Sequence, residues 1–346
     1  MGADDRGAFA VIGAGSFGTA VADLLARAGA RTVLWCRDPA QARAIDETHH
    51  NPRRLREREL APSLRATSDL GEALAEAGHV IVAVPTQSLR DVLGRLREHG
   101  AAGASLLSLA KGVEISTGLL PEKIFEDVMG QGASFAALSG PSHAEEVVRG
   151  LPTAVIVAAR DRDVALGWQA RLGGPRFRVY TSGDVLGVEL GGAVKNVIAI
   201  AVGVADALSL GDNARAALAA RGLAEIMRLG AAMGASPLTL AGLAGAGDLM
   251  ATCYSPHSRN LRFGMAIGRG ASPEDAAAEI GEVVEGAHTA RALVAWAQRW
   301  GVELPICAGV HAVLYEGASL HETIERLLFR EPKEEGAWPH PPSLHH

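Results

Sequence analysis

Phe9-Ala10-Val11-Ile12-Gly13-Ala14-Gly15-Ser16-Phe17-Gly18 decides the fold. The first four residues are an apolar run that predicts a strand. Thr19 to Gly29 carries the apolar pattern of a helix, and Thr32-Val33-Leu34-Trp35 predicts a second strand. Strand, glycine turn, helix, strand is the setting in which Gly-x-Gly-x-x-Gly binds a dinucleotide. Gly13 makes the tight turn, Gly15 lets the backbone approach a pyrophosphate, and Gly18 lets the helix pack close to the strand. The N–H groups and partial positive charge of the helix N-terminus then face the phosphates. A tight turn in another α/β fold stays open as the plainer reading.

The end of the second strand bears on which dinucleotide. A site for NAD usually places Asp or Glu about 20 residues past the glycines, on the ribose 2′-hydroxyl. Here the run is Trp35-Cys36-Arg37-Asp38. A guanidinium suits a 2′-phosphate, so NADPH is expected to be accepted and favoured, while Asp38 keeps NADH open. Otherwise Arg37 is a solvated charge at a strand end.

A chain of 346 residues is long enough for two domains with sizeable cores. With 48% apolar and 21% charged residues its composition is that of a globular protein. A net charge of −6 argues against a general nucleic-acid binder, though not against a local basic pocket for an anion. Cys36, Cys253 and Cys307 lie far apart, which suits a reducing cytoplasm, and with twelve dispersed histidines no metal site is expected. No targeting segment and no uninterrupted run of roughly 18 apolar residues is visible, so no membrane span is expected.

The first half alternates strand and helix signals. His79 to Val84, Ser105 to Leu109, Phe135 to Ser139 and Thr153 to Ala159 read as strands. That alternation predicts an α/β class: an N-terminal Rossmann-type doubly wound, mostly parallel sheet covered on both faces, over residues 8–184. Pro85, Lys111 and Gly140 follow strand ends, where such sheets bind ligands. From about residue 185 to 331 the pattern is nearly all helical, an all-α C-terminal domain that carries the substrate chemistry. Residues 332–346, rich in Pro, His and Glu, read as a disordered tail. Arg53, Arg54, Arg56 and Arg58 form either a solvated loop or a mobile flap near the cofactor phosphates.

Several residues stand out chemically. Lys195 lies in Gly191-Gly192-Ala193-Val194-Lys195-Asn196-Val197-Ile198-Ala199, and a lysine in so apolar a helix is costly unless it is paired or works near neutrality. Burial would lower its pKa toward the range of a general acid/base; the alternative is a side chain that snorkels to the surface. Lys111 sits on a strand-end turn beside Gly112, as a ligand contact or as a surface lysine. Gly140-Pro141-Ser142-His143-Ala144-Glu145-Glu146 reads as a helix start that Ser139 or Ser142 caps, or as an anion or hydroxyl site. His143 has no catalytic partner nearby in sequence. Asp248, after a glycine-rich run, could orient Lys195 or bind a substrate hydroxyl. Ser258-Arg259-Asn260 can coordinate a phosphate, with Arg as a planar fork. The plainer account of this region is a loop with a capped helix start.

Taken together, Gly13-Ala14-Gly15-Ser16-Phe17-Gly18-Thr19-Ala20, Ala110-Lys111-Gly112, Ser139-Gly140-Pro141-Ser142 and Val194-Lys195-Asn196-Val197-Ile198-Ala199 form a recognisable set. Gly211-Asp212-Asn213-Ala214, Arg221-Gly222-Leu223-Ala224-Glu225, Gly245-Ala246-Gly247-Asp248-Leu249, Ser258-Arg259-Asn260 and Val284-Glu285-Gly286 extend it. The chain resembles the bacterial NAD(P)-dependent glycerol-3-phosphate dehydrogenases over nearly all of residues 8–330. The resemblance implies reversible reduction of dihydroxyacetone phosphate to sn-glycerol 3-phosphate with NADPH or NADH, feeding glycerophospholipid synthesis. It implies that Lys195 is the proton donor/acceptor, and that Lys111, Gly140, Ser142, Asp248, Ser258, Arg259 and Asn260 surround the substrate with it. Ser16, Phe17, Arg37, Lys111, Ala144, Arg259, Val283 and Glu285 would line the cofactor along with Gly13, Gly15 and Gly18. A cytoplasmic homodimer is expected. His143 and the 53–58 arginines depart from the family pattern. The rival readings are a two-domain reductase of the β-hydroxyacid or ketopantoate type, and a non-catalytic NADPH-sensing protein.

Overall fold

Successive buried strand residues that point alternately into two separate cores are what build the first unit. In the computed structural model, which describes residues 7–130 and 133–329, Phe9 and Val11 join one core cluster and Ala10 and Ile12 another. Ile81 and Leu107 likewise fall with the first, and Val80, Val82 and Leu106 with the second. Both faces of the sheet are therefore buried, and such strands read as continuous apolar runs. The strands are β1 (Ala8–Ile12), β2 (Arg31–Trp35), β3 (Arg65–Thr67), β4 (His79–Val82), β5 (Ser105–Ser108), β6 (Phe135–Ser139), β7 (Thr153–Ala158) and β8 (Phe177–Ser182).

They form one sheet in the order β3-β2-β1-β4-β5-β6-β7-β8. The first six strands are parallel; β7 pairs antiparallel with β6, and β8 parallel with β7. Strand order reverses at the β1/β4 pair, and that switch point is where open α/β sheets bind ligands. Two strands, β3 and β8, were not among those read from the sequence. β3 has only three residues, too few to show a period. In β8 Phe177 and Val179 are buried while Arg178 and Tyr180 are exposed, a readable alternation of the kind an edge strand shows.

The chain divides into two compact units. Among the described residues, one comprises those from 7 to 111 and from 119 to 189, the other those from 112 to 118 and from 190 to 329. The second unit is helical and, among its described residues, has no strand. Its helices include Gly211–Met233, Asp248–Tyr254, Arg259–Gly268, Glu285–Trp300 and Pro305–Tyr315. The short 112–118 segment belongs to it in part through Trp296, whose indole N–H donates to the Gly118 carbonyl at 3.2 Å. Helix Val185–Ala207 begins in the first unit and continues in the second. By length and composition it could cross a bilayer, with a mean hydropathy of 1.7, but 89% of its most apolar window is buried inside the protein. A core helix has the same composition as a spanning one.

Within the helical unit, Glu225 is 2% exposed and closes the start of helix Pro305–Tyr315, accepting from the N–H groups of Ile306 (2.6 Å) and Cys307 (3.1 Å). Burial outweighs those bonds and pushes its carboxyl up from 4.5 to about 6. The folded state therefore binds the proton more tightly than the unfolded chain. Its contribution is fully present below pH 4.5 and is lost as pH rises through about 6, by about 2 kcal/mol. Urea midpoints should fall across that window in the wild-type chain, and the Glu225→Gln variant, although weakened overall, should show a flatter profile there.

Candidate active site

On the first unit the glycine turn follows β1. Gly13 has φ +118°, and a Cβ there would lie 2.7 Å from the Ala83 carbonyl oxygen at the end of β4. A Cβ on Gly18 would lie 2.0 Å from the Gly13 carbonyl oxygen. Both glycines are thus required by the chain itself. At Gly15 a Cβ would meet nothing within 4 Å, so no contact inside the protein demands glycine there. Gly15 is the N-cap of helix Ser16–Arg27, offers no capping side chain, and is followed by a first turn without acidic residues. A clear approach, free amide donors and the dipole of a 12-residue helix fit a pyrophosphate.

Arg37 is exposed just past β2. Asp38 is occupied otherwise: its side chain accepts from the Ala40 N–H at 2.9 Å, capping helix Pro39–Thr48, and forms an ion pair with Arg53. The Ala40 hydrogen bond first, and then Arg53, hold this carboxyl below the usual carboxylate range.

Further along the same sheet, Lys111 follows β5 and Gly140 follows β6. The Gly140 carbonyl accepts from Lys111 Nζ (3.1 Å) and from Ser142 Oγ (2.9 Å), which brings three of the expected residues together. The expected serine cap is not formed. His143 is the N-cap residue, without a side-chain cap bond, and the helix is only Ala144–Val147. Ser142 Oγ instead donates to the Gly140 carbonyl two residues earlier. Ala144 is buried, and its helix packs on Ser16–Arg27.

On the second unit Lys195 is 5% exposed and does not snorkel. Its Nζ forms an ion pair with the Asp248 carboxylate and donates to Thr252 Oγ1 at 2.7 Å. Burial disfavours the ammonium and the carboxylate favours it, so the lysine is held in place as a paired group. The approach is permitted by Gly191, one turn earlier, where a Cβ would lie 2.6 Å from the Ala244 carbonyl oxygen. Thr252 stands one turn after Asp248 and donates back to its carbonyl at 2.6 Å.

Asn196, beside Lys195, extends the network. Its Oδ1 accepts from Asn260 Nδ2 at 2.9 Å, and Asn260 Oδ1 accepts from the Gly286 N–H at 3.0 Å. Asn260 therefore knits three helices together, with one amide N–H left beyond the bond to Asn196. Ser258 caps helix Arg259–Gly268 by accepting from Leu261 N, and Arg259 pairs with Glu282 at 3.2 Å. Val283 is exposed, and Glu285 opens helix Glu285–Trp300. Thr252 and Asn196 were not read as site residues from the sequence, Asn196 appearing there only within the Lys195 motif. Asn260→Ala would strand the Asn196 acceptor and the Gly286 donor, and is expected to cost about 2–4 kcal/mol in urea unfolding besides weakening any bound anion.

A doubly wound sheet with a glycine turn at its switch point, joined in one chain to a helical unit holding a buried, carboxylate-paired lysine, fits a nicotinamide-dependent oxidoreductase acting on a CH–OH group. Residues 8–165 match the family described as NAD-dependent glycerol-3-phosphate dehydrogenase N-terminus, and residues 184–325 match the corresponding C-terminus. The chain belongs to the NAD-dependent glycerol-3-phosphate dehydrogenase family.

A glycerol-3-phosphate dehydrogenase [NAD(P)+] of Rhodospirillum rubrum is 49% identical over 327 residues, covering 94% of this chain and 93% of that protein. One from Stenotrophomonas maltophilia is 47% identical over 326 residues, covering 94% and 96%. The crystal structure of glycerol-3-phosphate dehydrogenase from Coxiella burnetii superposes with a TM-score of 0.89 at 38% identity, covering 94% of this chain and 99% of that one. A ketopantoate reductase of Ralstonia eutropha, at 18% identity and TM-score 0.59, shares the fold alone.

Proposed function

We propose that the chain interconverts dihydroxyacetone phosphate and sn-glycerol 3-phosphate, with Lys195 as the group that moves the proton. The observation that carries this reading is the buried Lys195 Nζ, fixed by Asp248 and Thr252. When bound, a dihydronicotinamide would supply the hydride that reduces the C2 carbonyl carbon. Lys195 supplies the proton to the carbonyl oxygen, and takes it back in the oxidative direction. Asp248 and Thr252 hold Nζ at one point, so the proton is delivered without reorganisation of the lysine. Arg259 and Asn260 are assigned to the phosphate, and Ser258, Asp248, Lys111, Gly140 and Ser142 to the rest of the substrate. Ser16, Phe17, Gly13, Gly15, Gly18, Arg37, Lys111, Ala144, Arg259, Val283 and Glu285 are assigned to the dinucleotide.

The finer setting we infer is a cytoplasmic homodimer that supplies glycerophospholipid synthesis. Supporting it are three buried free thiols, which suit a reducing compartment. Partly exposed Leu210 and Leu328, beside an apolar groove of about 490 Å³ in the helical unit, suit burial against a second copy. The reaction is tested by following nucleotide absorbance with dihydroxyacetone phosphate, unphosphorylated dihydroxyacetone and ketopantoate, each with NADPH and NADH. Turnover confined to the phosphorylated ketone supports the assignment; preference for ketopantoate sinks it.

A further inference from the structure

The arginine-bearing segment after helix Pro39–Thr48 is pinned at both ends to the phosphate-binding helix. At one end is Asn51, which is fully buried. Its Nδ2 donates to Thr19 Oγ1 (2.9 Å) and to the Ala14 carbonyl of the glycine turn (3.2 Å). Its Oδ1 accepts from Gln41 Nε2 and from the backbone N–H groups of Arg53 (3.0 Å) and Arg54 (3.1 Å). At the other end Asp23, on the same helix, accepts from the Ala61 N–H at 2.6 Å, and Arg27 donates to the Glu59 carbonyl at 2.6 Å. The segment, read from sequence as either a solvated loop or a mobile flap, is an anchored wall beside the glycine turn.

Arg53 leaves that wall to meet Asp38, next to Arg37. The side chains are 59% and 29% exposed, and so open an ion pair adds little to folding stability. Its consequence is local charge. A free carboxylate at the end of β2 would welcome a ribose hydroxyl and repel a 2′-phosphate. Here that carboxylate is turned into the helix cap and covered by a guanidinium.

We propose that Arg53 is a specificity-determining residue of the dinucleotide site: by neutralising Asp38 it removes the repulsion of a 2′-phosphate and leaves Arg37 to hold it, so that the chain selects NADPH over NADH. Asn51 is the positioning residue that aims Arg53. The proposal rests on the reading that a dinucleotide lies on the Gly13 turn.

The experiment is equilibrium titration of the full chain with NADPH and NADH, read by nucleotide fluorescence without substrate. In Arg53→Ala the ratio of NADPH to NADH affinity should fall on the order of ten-fold, as expected for one uncompensated charge at close range. Arg53→Lys, which restores the cation, should recover most of it. Asp38→Asn keeps an N-cap acceptor, and in that background Arg53→Ala should leave the ratio near its starting value. An unchanged ratio in Arg53→Ala, or an equal fall with and without the Asp38 carboxylate, overturns the proposal. Thermal unfolding of each variant separates a collapsed segment from a charge effect: a ratio lost in Arg53→Lys as well, with a lowered midpoint, counts against it. Wild-type chain that binds neither nucleotide overturns the underlying reading together with the proposal, whereas binding of both with no change of ratio overturns only the proposal.

Discussion

Lys195→Met should lower kcat for dihydroxyacetone phosphate reduction by about 10³-fold or more, the upper range of what a positioned general acid contributes, while NADPH affinity stays within about two-fold. Lys195 is not among the residues assigned to the dinucleotide, and the glycine turn assigned to its pyrophosphate lies in the first unit, so binding and proton transfer are expected to be separable. The single variant also strands a carboxylate. Asp248 is 2% exposed and loses the ammonium it faces, which costs about 3–5 kcal/mol when one partner of a buried pair is removed. A structural explanation of lost activity is therefore available and has to be answered. The paired variant Lys195→Met with Asp248→Asn should regain most of the stability in urea unfolding and none of the turnover. Recovery of turnover along with stability would show that Lys195 only supports the fold.

Two glycines of one motif should behave differently. Gly18→Ala places a Cβ 2.0 Å from the Gly13 carbonyl oxygen, a backbone atom that cannot swing aside. It is expected to destabilise the first unit by about 3 kcal/mol or more. Gly15→Ala meets nothing in the protein, and Gly15 has φ −71° and ψ 177°, which alanine adopts freely. Its unfolding free energy should stay within about 0.5 kcal/mol of wild type. Its NADPH affinity should nevertheless fall at least about ten-fold, or ~1.4 kcal/mol, because the added methyl fills the space a pyrophosphate needs. Calorimetric titration beside thermal unfolding reads both quantities. A Gly15→Ala chain that binds NADPH as tightly as wild type would remove this turn as the phosphate site.

The first unit was legible in sequence for a physical reason: its strands are buried on both faces and its turns use glycine where backbone crowding demands it. Lys195 was legible as an anomaly, one charge in an apolar helix. Arg259 and Ser258 were legible as a polar group at a helix start, and Ser258 does cap that helix. The serine cap expected at residues 139–142 is not seen at the Ala144–Val147 helix, whose N-cap residue is His143; Ser142 instead donates to the Gly140 carbonyl, which Lys111 also meets from 29 positions away.

By itself the sequence determined the strand-turn-helix order, the change from alternating elements to helices near residue 185, and the residue types that could move a proton or hold an anion. These follow from local periodicity and turn chemistry, which act over a few residues. The tertiary structure alone decided that Lys195 is paired and with which groups. Asp248 lies 53 positions away and reaches the lysine because Gly191 lets the backbone at Ala244 come close. It alone turned Asn260 toward Asn196, and it alone set Arg53 upon Asp38 across 15 positions. Such partners are selected by helix packing and by the path of a pinned loop, and no pattern of neighbouring residues encodes that path.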